Sequence, residues 1–178
     1  MSSFTKFDAS VMMQYDAYAS KLLRGDHWRI MSGFTYRVGV ETSALSVTVK
    51  RNYISDFASV PWFVRWLVPR HGAHGQAAVL HDLLCETLEI TRTYRGKEPV
   101  AVPITRKDAD GIFYEALKVS GVSPSRRAMI RIGVDGYRIL TATTRKQVNR
   151  RKLMIQAEYD AADAVAGVVV TAEGVLLV

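Results

Sequence analysis

The sequence predicts an α+β domain, a small antiparallel sheet packed with three to five helices. Three observations predict it. Residues Phe34 to Val40 (FTYRVGV) and Ala44 to Arg51 (ALSVTVKR) alternate in polarity and are rich in β-branched and aromatic side chains, with Glu41, Thr42 and Ser43 between them as a hairpin connection. Several later segments repeat apolar residues at helical spacing behind capping residues. Strand-like segments near the start and at the end of the chain, with helices between them, make a short antiparallel sheet with helices packed over it.

The elements follow in chain order. Ala9 to Leu23 reads as a short helix, with Val11, Met12, Tyr15, Tyr18, Ala19 and Leu22 roughly on one face and Gly25 ending it. In the hairpin, period 2 sets Leu45, Val47 and Val49 on one face and Ser46, Thr48 and Lys50 on the other. Ser59 followed by Pro61 signals a helix start, and Pro69 closes that helix. Arg70 to Gly75 reads as a loop. Gln76 to Leu88 carries Ala77, Leu80, Leu84 and Leu88 at helical spacing and should be buried. Glu89 to Ile104 reads as irregular because of Gly96, Pro99 and Pro103.

Thr105 to Val119 is the clearest helix. Thr105 and Asp108 form a short capping box, Ala109, Ile112, Phe113, Ala116 and Leu117 make the core stripe, and Gly121 ends it. Ser123 with Pro124 opens a helix to about Leu140, and another should span Arg145 to Ala164. Val168 to Thr171 and Val175 to Val178 read as two short strands that could join the hairpin. The chain divides into a lead-in (1–33), an α+β domain (34–140) and a C-terminal extension (141–178) that could serve as a partner-contacting arm.

Composition narrows function by exclusion. With 178 residues the chain can bury roughly 70% of its unfolded surface, so folding requires neither metal nor disulfide. A single cysteine, Cys85, excludes an internal disulfide and a Cys-cluster zinc site, and its place on an apolar stripe reads as core. No apolar run reaches the ~18 residues of a membrane span, and MSSFTKFDAS lacks the apolar centre of a secretory signal. The expectation is a soluble protein made in a reducing cytoplasm. There is no G-x-S-x-G elbow and no phosphate-binding glycine loop.

The formal net charge is +7, and it is concentrated. Between Ser120 and Lys152 stand nine basic residues, Arg126, Arg127, Arg131, Arg138, Arg145, Lys146, Arg150, Arg151 and Lys152, against one acid, Asp135. That stripe reads first as a solvated face or an interface with an acidic partner and second as a nucleic-acid contact. Tyr137 is its only aromatic, so base stacking has no platform there.

The segments ISDFASVPW, AAVLHDLLC, TRKDADGIFYEAL and GVSPSRRAMIRIGV resemble, in order and spacing, an uncharacterised phage and prophage family, domain of unknown function 1353. The resemblance covers about Phe34 to Val134. Cys85 replaces an expected aromatic residue, and Ser55 a common Thr. The resemblance implies a bacteriophage gene, often among tail and other virion genes, and implies no known reaction.

Its motifs carry over five polar positions: Asp56, His81, Asp82, Arg106 and Asp110. One reading makes them a structural cluster whose charges satisfy one another in the interior. The other makes His81-Asp82 the core of a metal-dependent hydrolase, because imidazole and carboxylate can hold a divalent ion that activates water. His71, His74, His81 and Asp82 are the candidate metal ligands, with Asp56 or Asp110 as added carboxylates; His81, Asp82 and Asp56 are the catalytic candidates. The structural reading is preferred, because a His-Asp pair is common and enzymes of that type are all-helical. The expected function is a virion structural or accessory protein of the tail or baseplate, without a cofactor, working through contacts with other virion proteins in a symmetric oligomeric assembly. The alternatives are the hydrolase and a DNA-contacting head–tail or packaging accessory.

Overall fold

The computed structural model describes residues 7–56, 73–141 and 148–172. Its elements are β1 (Met12–Tyr15), α1 (Ala17–Leu23), β2 (Trp28–Ser32), β3 (Phe34–Arg37), β4 (Leu45–Val49), β5 (Ile54–Ser55), α2 (Ala73–Thr87), β6 (Glu89–Arg92), β7 (Val100–Pro103), α3 (Arg106–Val119), α4 (Pro124–Thr141) and α5 (Arg150–Ala172). The architecture is α+β with two antiparallel sheets, one ordered β1-β2-β5 and the other β3-β4-β6-β7.

The first expected helix is half strand. Asp16 takes an extended conformation, and its carboxylate accepts from the Ala19 amide at 2.9 Å, so the helix starts only at Ala17. The residues before it pair with β2 instead. Tyr15 sits opposite Trp28, their rings meeting edge to face at 5.7 Å. Arg24 (φ 59°), not Gly25, takes the left-handed position that ends the helix.

Gly33 alone separates β2 from β3, where the chain passes from one sheet to the other. A side chain there would stand 2.8 Å from the Val49 carbonyl oxygen, so only hydrogen fits. The β3–β4 hairpin forms in the expected place, with Phe34 opposite Val49 and Tyr36 opposite Val47.

Glu89 to Ile104 is the largest correction to the element reading. It is a second hairpin, β6 with β7, pairing Ile90 with Val102. Gly96 (φ 73°) serves the connection, and Pro103 sits on the edge strand of its sheet, where a missing amide costs little. Turn residues masked two short β-branched strands.

α2 begins at Ala73, earlier than the loop reading allowed, and packs against β4 and α3. α3 has the predicted capping box: Asp108 N–H donates to Thr105 Oγ1 at 3.1 Å, and Thr105 N–H to Asp108 Oδ2 at 2.9 Å. Gly121 (φ 75°) closes it, with Val122 N–H bonding back to the Leu117 carbonyl at 3.0 Å. α4 then returns along α3.

α5 starts at Arg150 because Asn149 Oδ1 accepts from the Arg151 and Lys152 amides at 3.1 and 3.3 Å. It continues to Ala172, so Val168 to Thr171 is helix and not strand. An established helix adds one hydrogen bond per residue, which outweighs the weak strand preference of a valine run. The expected strand Val175 to Val178 and helix after Ser59 lie outside the described residues.

The main core joins Tyr36, Val47 and Val49 to Leu80 and Leu84 of α2, Phe113 and Leu117 of α3 and Ile130 of α4. A smaller cluster of Ala19, Ile54 and Ile155 fixes α5 beside α1. Among the described residues, no helix is long and apolar enough to cross a membrane.

Candidate functional site

Between α2, α3 and α4 lies a buried cluster of charges. His81 is fully buried, its ring stacked on Phe113 at 4.5 Å. Its Nε2 stands 2.9 Å from Asp110 Oδ1, and Cys85 Sγ, one helical turn along α2, is 3.5 Å from the same nitrogen. Asp110 is 1% exposed. Its other oxygen faces Arg138 Nε of α4 at 2.9 Å, an ion pair whose angles fall short of a hydrogen bond. Arg138 also donates to Asp135 Oδ1 at 2.8 Å. Arg106, one turn before Asp110 on α3, is 6% exposed and reaches Asp110 only at 3.8 Å.

The helices set this geometry. Arg106 and Asp110 are i and i+4 on α3, and so share a face. Arg138 lies eight residues after Ile130 and four after Val134, on the buried face of α4. Burial disfavours a charged imidazole at His81, but Cys85 and the Asp110 carboxylate outweigh it and push its pKa up to about 9. The imidazolium then donates from Nε2 to Asp110.

His81 and Asp82 do not converge. Asp82 lies on another side of α2, buried and accepting from Ser55 Oγ of β5. A second charged contact flanks it: Lys152 of α5 pairs with Glu86, and its ammonium lies 4.1 Å over the Tyr53 ring. Burial first, and then the Glu86 and Asp82 carboxylates, push the Tyr53 phenol well above its ordinary pKa.

Three of the five motif positions therefore meet, His81, Arg106 and Asp110, and Asp82 faces β5. Asp56 is a correction: it follows the buried pair Ile54 and Ser55 and is exposed at the end of β5. Lys152 is another. Read as a surface contact, it is 5% exposed because Glu86 and Tyr53 hold it inward. Arg126 and Arg127 are half-buried, Arg131 is exposed and lies 5.4 Å over the Tyr114 ring, and Arg150 and Arg151 are exposed. Arg145, Lys146, His71 and the side chain of His74 lie outside the described residues. Among the described residues, no three His, Cys, Asp or Glu side chains gather as a metal site.

Two members of the cluster were not assigned to it from sequence. Arg138 was counted only as part of the basic stripe, although its spacing from Ile130 and Val134 already placed it on the core face. Cys85 was read as core packing, and its i+4 relation to His81 was the available signal.

Fold and site together define a small α+β protein organised about a buried, positively biased charge cluster. Residues 28–134, more than half of the chain, match the family described as "Protein of unknown function (DUF1353)", and the chain belongs to that family. The matched stretch runs from β2 into α4 and holds His81, Asp82, Arg106 and Asp110, whereas Arg138 and α5 lie beyond it. No curated protein and no solved structure matches the chain.

Proposed function

We propose that the protein is a non-catalytic assembly component, a bacteriophage virion structural or accessory protein of the tail or baseplate, working through protein–protein contacts. One observation carries the contact-making part of this reading. α4 turns Met129, Ile132 and Ile139 to solvent at helical spacing, with Leu140 beside them; Ile132 is 74% exposed and Leu140 86%. Exposed aliphatic side chains on one face of a helix suit a protein partner with an apolar surface of its own. The buried cluster supports the same reading, because ion pairs inside the domain hold three helices in place and leave the surface to do the binding. The virion assignment rests on the resemblance of the four sequence motifs to phage and prophage genes.

Mass spectrometry of purified virus particles tests it. The reading expects this chain in the particles at an abundance comparable to other minor tail proteins. An Ile132→Asp/Ile139→Asp double variant should fold, by circular dichroism, and fail to be incorporated. Absence of the wild-type chain from particles overturns the virion assignment, and normal incorporation of the variant overturns the role of α4.

A further inference from the structure

We propose that the Arg106 end of the buried cluster is a binding site for a small oxyanion, a phosphate or carboxylate group that completes the coordination of the Arg106 guanidinium. Arg106 is 94% removed from solvent by its 6% exposure, yet its Nε and Nη1 make no hydrogen bond. The nearest carboxylate does not supply them. Asp110 gives Oδ1 to His81 at 2.9 Å and turns Oδ2 to Arg138 at 2.9 Å, which leaves Arg106 at 3.8 Å. One carboxylate thus faces two guanidinium groups and an imidazole, and Arg138 is shared with the partly buried Asp135.

Charge and hydrogen bonding argue in the same direction. A buried guanidinium without acceptors is costly, and the local balance is positive, so the missing partner is an acceptor carrying negative charge. Nη1 is unpaired, and the end-on edge that it shares with Nη2 presents two parallel N–H groups, which match two oxygens of one oxyanion. Arg106 is also the first residue of α3, where the helix dipole adds positive potential.

The test uses the full chain at pH 7 and constant ionic strength. Inorganic phosphate and acetate are titrated separately by calorimetry and by thermal unfolding. The expected result is saturable binding with a rise of several degrees in Tm; stronger binding of phosphate assigns a phosphate-type ligand, and equal or stronger binding of acetate a carboxylate-type one. Arg106→Met should weaken binding at least tenfold, and Arg106→Lys, which keeps the charge and loses the fork, should weaken it less. Arg151→Met, on the exposed start of α5, should bind as wild type. Neither anion binding the wild-type protein overturns the proposal even if Arg106→Met does not fold. Equal weakening in Arg151→Met also overturns it, since surface electrostatics would then account for the effect.

Discussion

Asp110 decides whether three helices hold together. Among the described residues it is the carboxylate set against His81 of α2, Arg106 of α3 and Arg138 of α4, and it is itself buried. Asp110→Asn keeps the shape and removes the charge, leaving the buried Arg106 and His81 without their carboxylate and Arg138 with Asp135 alone. Breaking a buried charge set in this way costs about 3–5 kcal/mol. Urea unfolding at pH 7 should show that loss as a lower midpoint. A loss below ~1 kcal/mol would mean that solvent reaches the cluster. The sequence marked His81, Arg106 and Asp110 as polar positions that needed partners, and it did so through their motif context. It did not reveal which groups paired, because pairing depends on the rotation of α2 and α4 about their axes. Asp56 and Asp82 show the limit, since residues close in sequence to β5 and His81 face different surroundings.

At the scale of elements, local chemistry predicted well where it acts alone. The capping box of α3 is a matter of four consecutive residues, and it formed as expected. Thr105→Ala should cost about 1 kcal/mol, measured by chemical denaturation, because it removes the hydroxyl that accepts the Asp108 amide. Asp108 has its pKa lowered by the Thr105 side chain and then by the Thr105 amide. That contribution is present above the ordinary carboxylate range and fades as pH falls through the lowered value. Elements that depend on a distant partner were harder to read. β1 exists because β2 lies beside it, and β6 with β7 because β4 supplies an edge, so their periodicity and their prolines misled. Gly33 belongs to the same class: nothing in its neighbours announces the approach of the Val49 carbonyl. Gly33→Ala must push the two strands apart and should destabilise by about 1–3 kcal/mol. An unchanged unfolding midpoint would show that the crossing between sheets yields freely.

For the whole molecule, α5 and the buried cluster lock the fold from two sides. α5 is tied by Lys152 to Glu86, by Asp163 to Arg51 at 2.7 Å and by Tyr159 to Asp16 at 2.7 Å. The contacts explain why a terminal extension that looked separable in sequence is bound into the domain. The α+β class was legible because it follows from the presence of a strand hairpin and several helix-like segments in one chain; the division into two sheets was not, because it turns on one glycine crossing. The central claim is that His81 is held as an imidazolium by Asp110 and Cys85, and global stability reads it. A group whose pKa rises from 6.5 to about 9 on folding contributes fully below pH 6.5, and loses that contribution as pH climbs through 9. Urea unfolding of wild type and His81→Gln from pH 6 to 10 therefore tests the account most directly. It predicts a wild-type decline of up to roughly 3 kcal/mol between pH 6.5 and 9.5 that is largely missing in His81→Gln. Wild-type stability that stays level or rises across that interval, or an identical decline in both proteins, would contradict it.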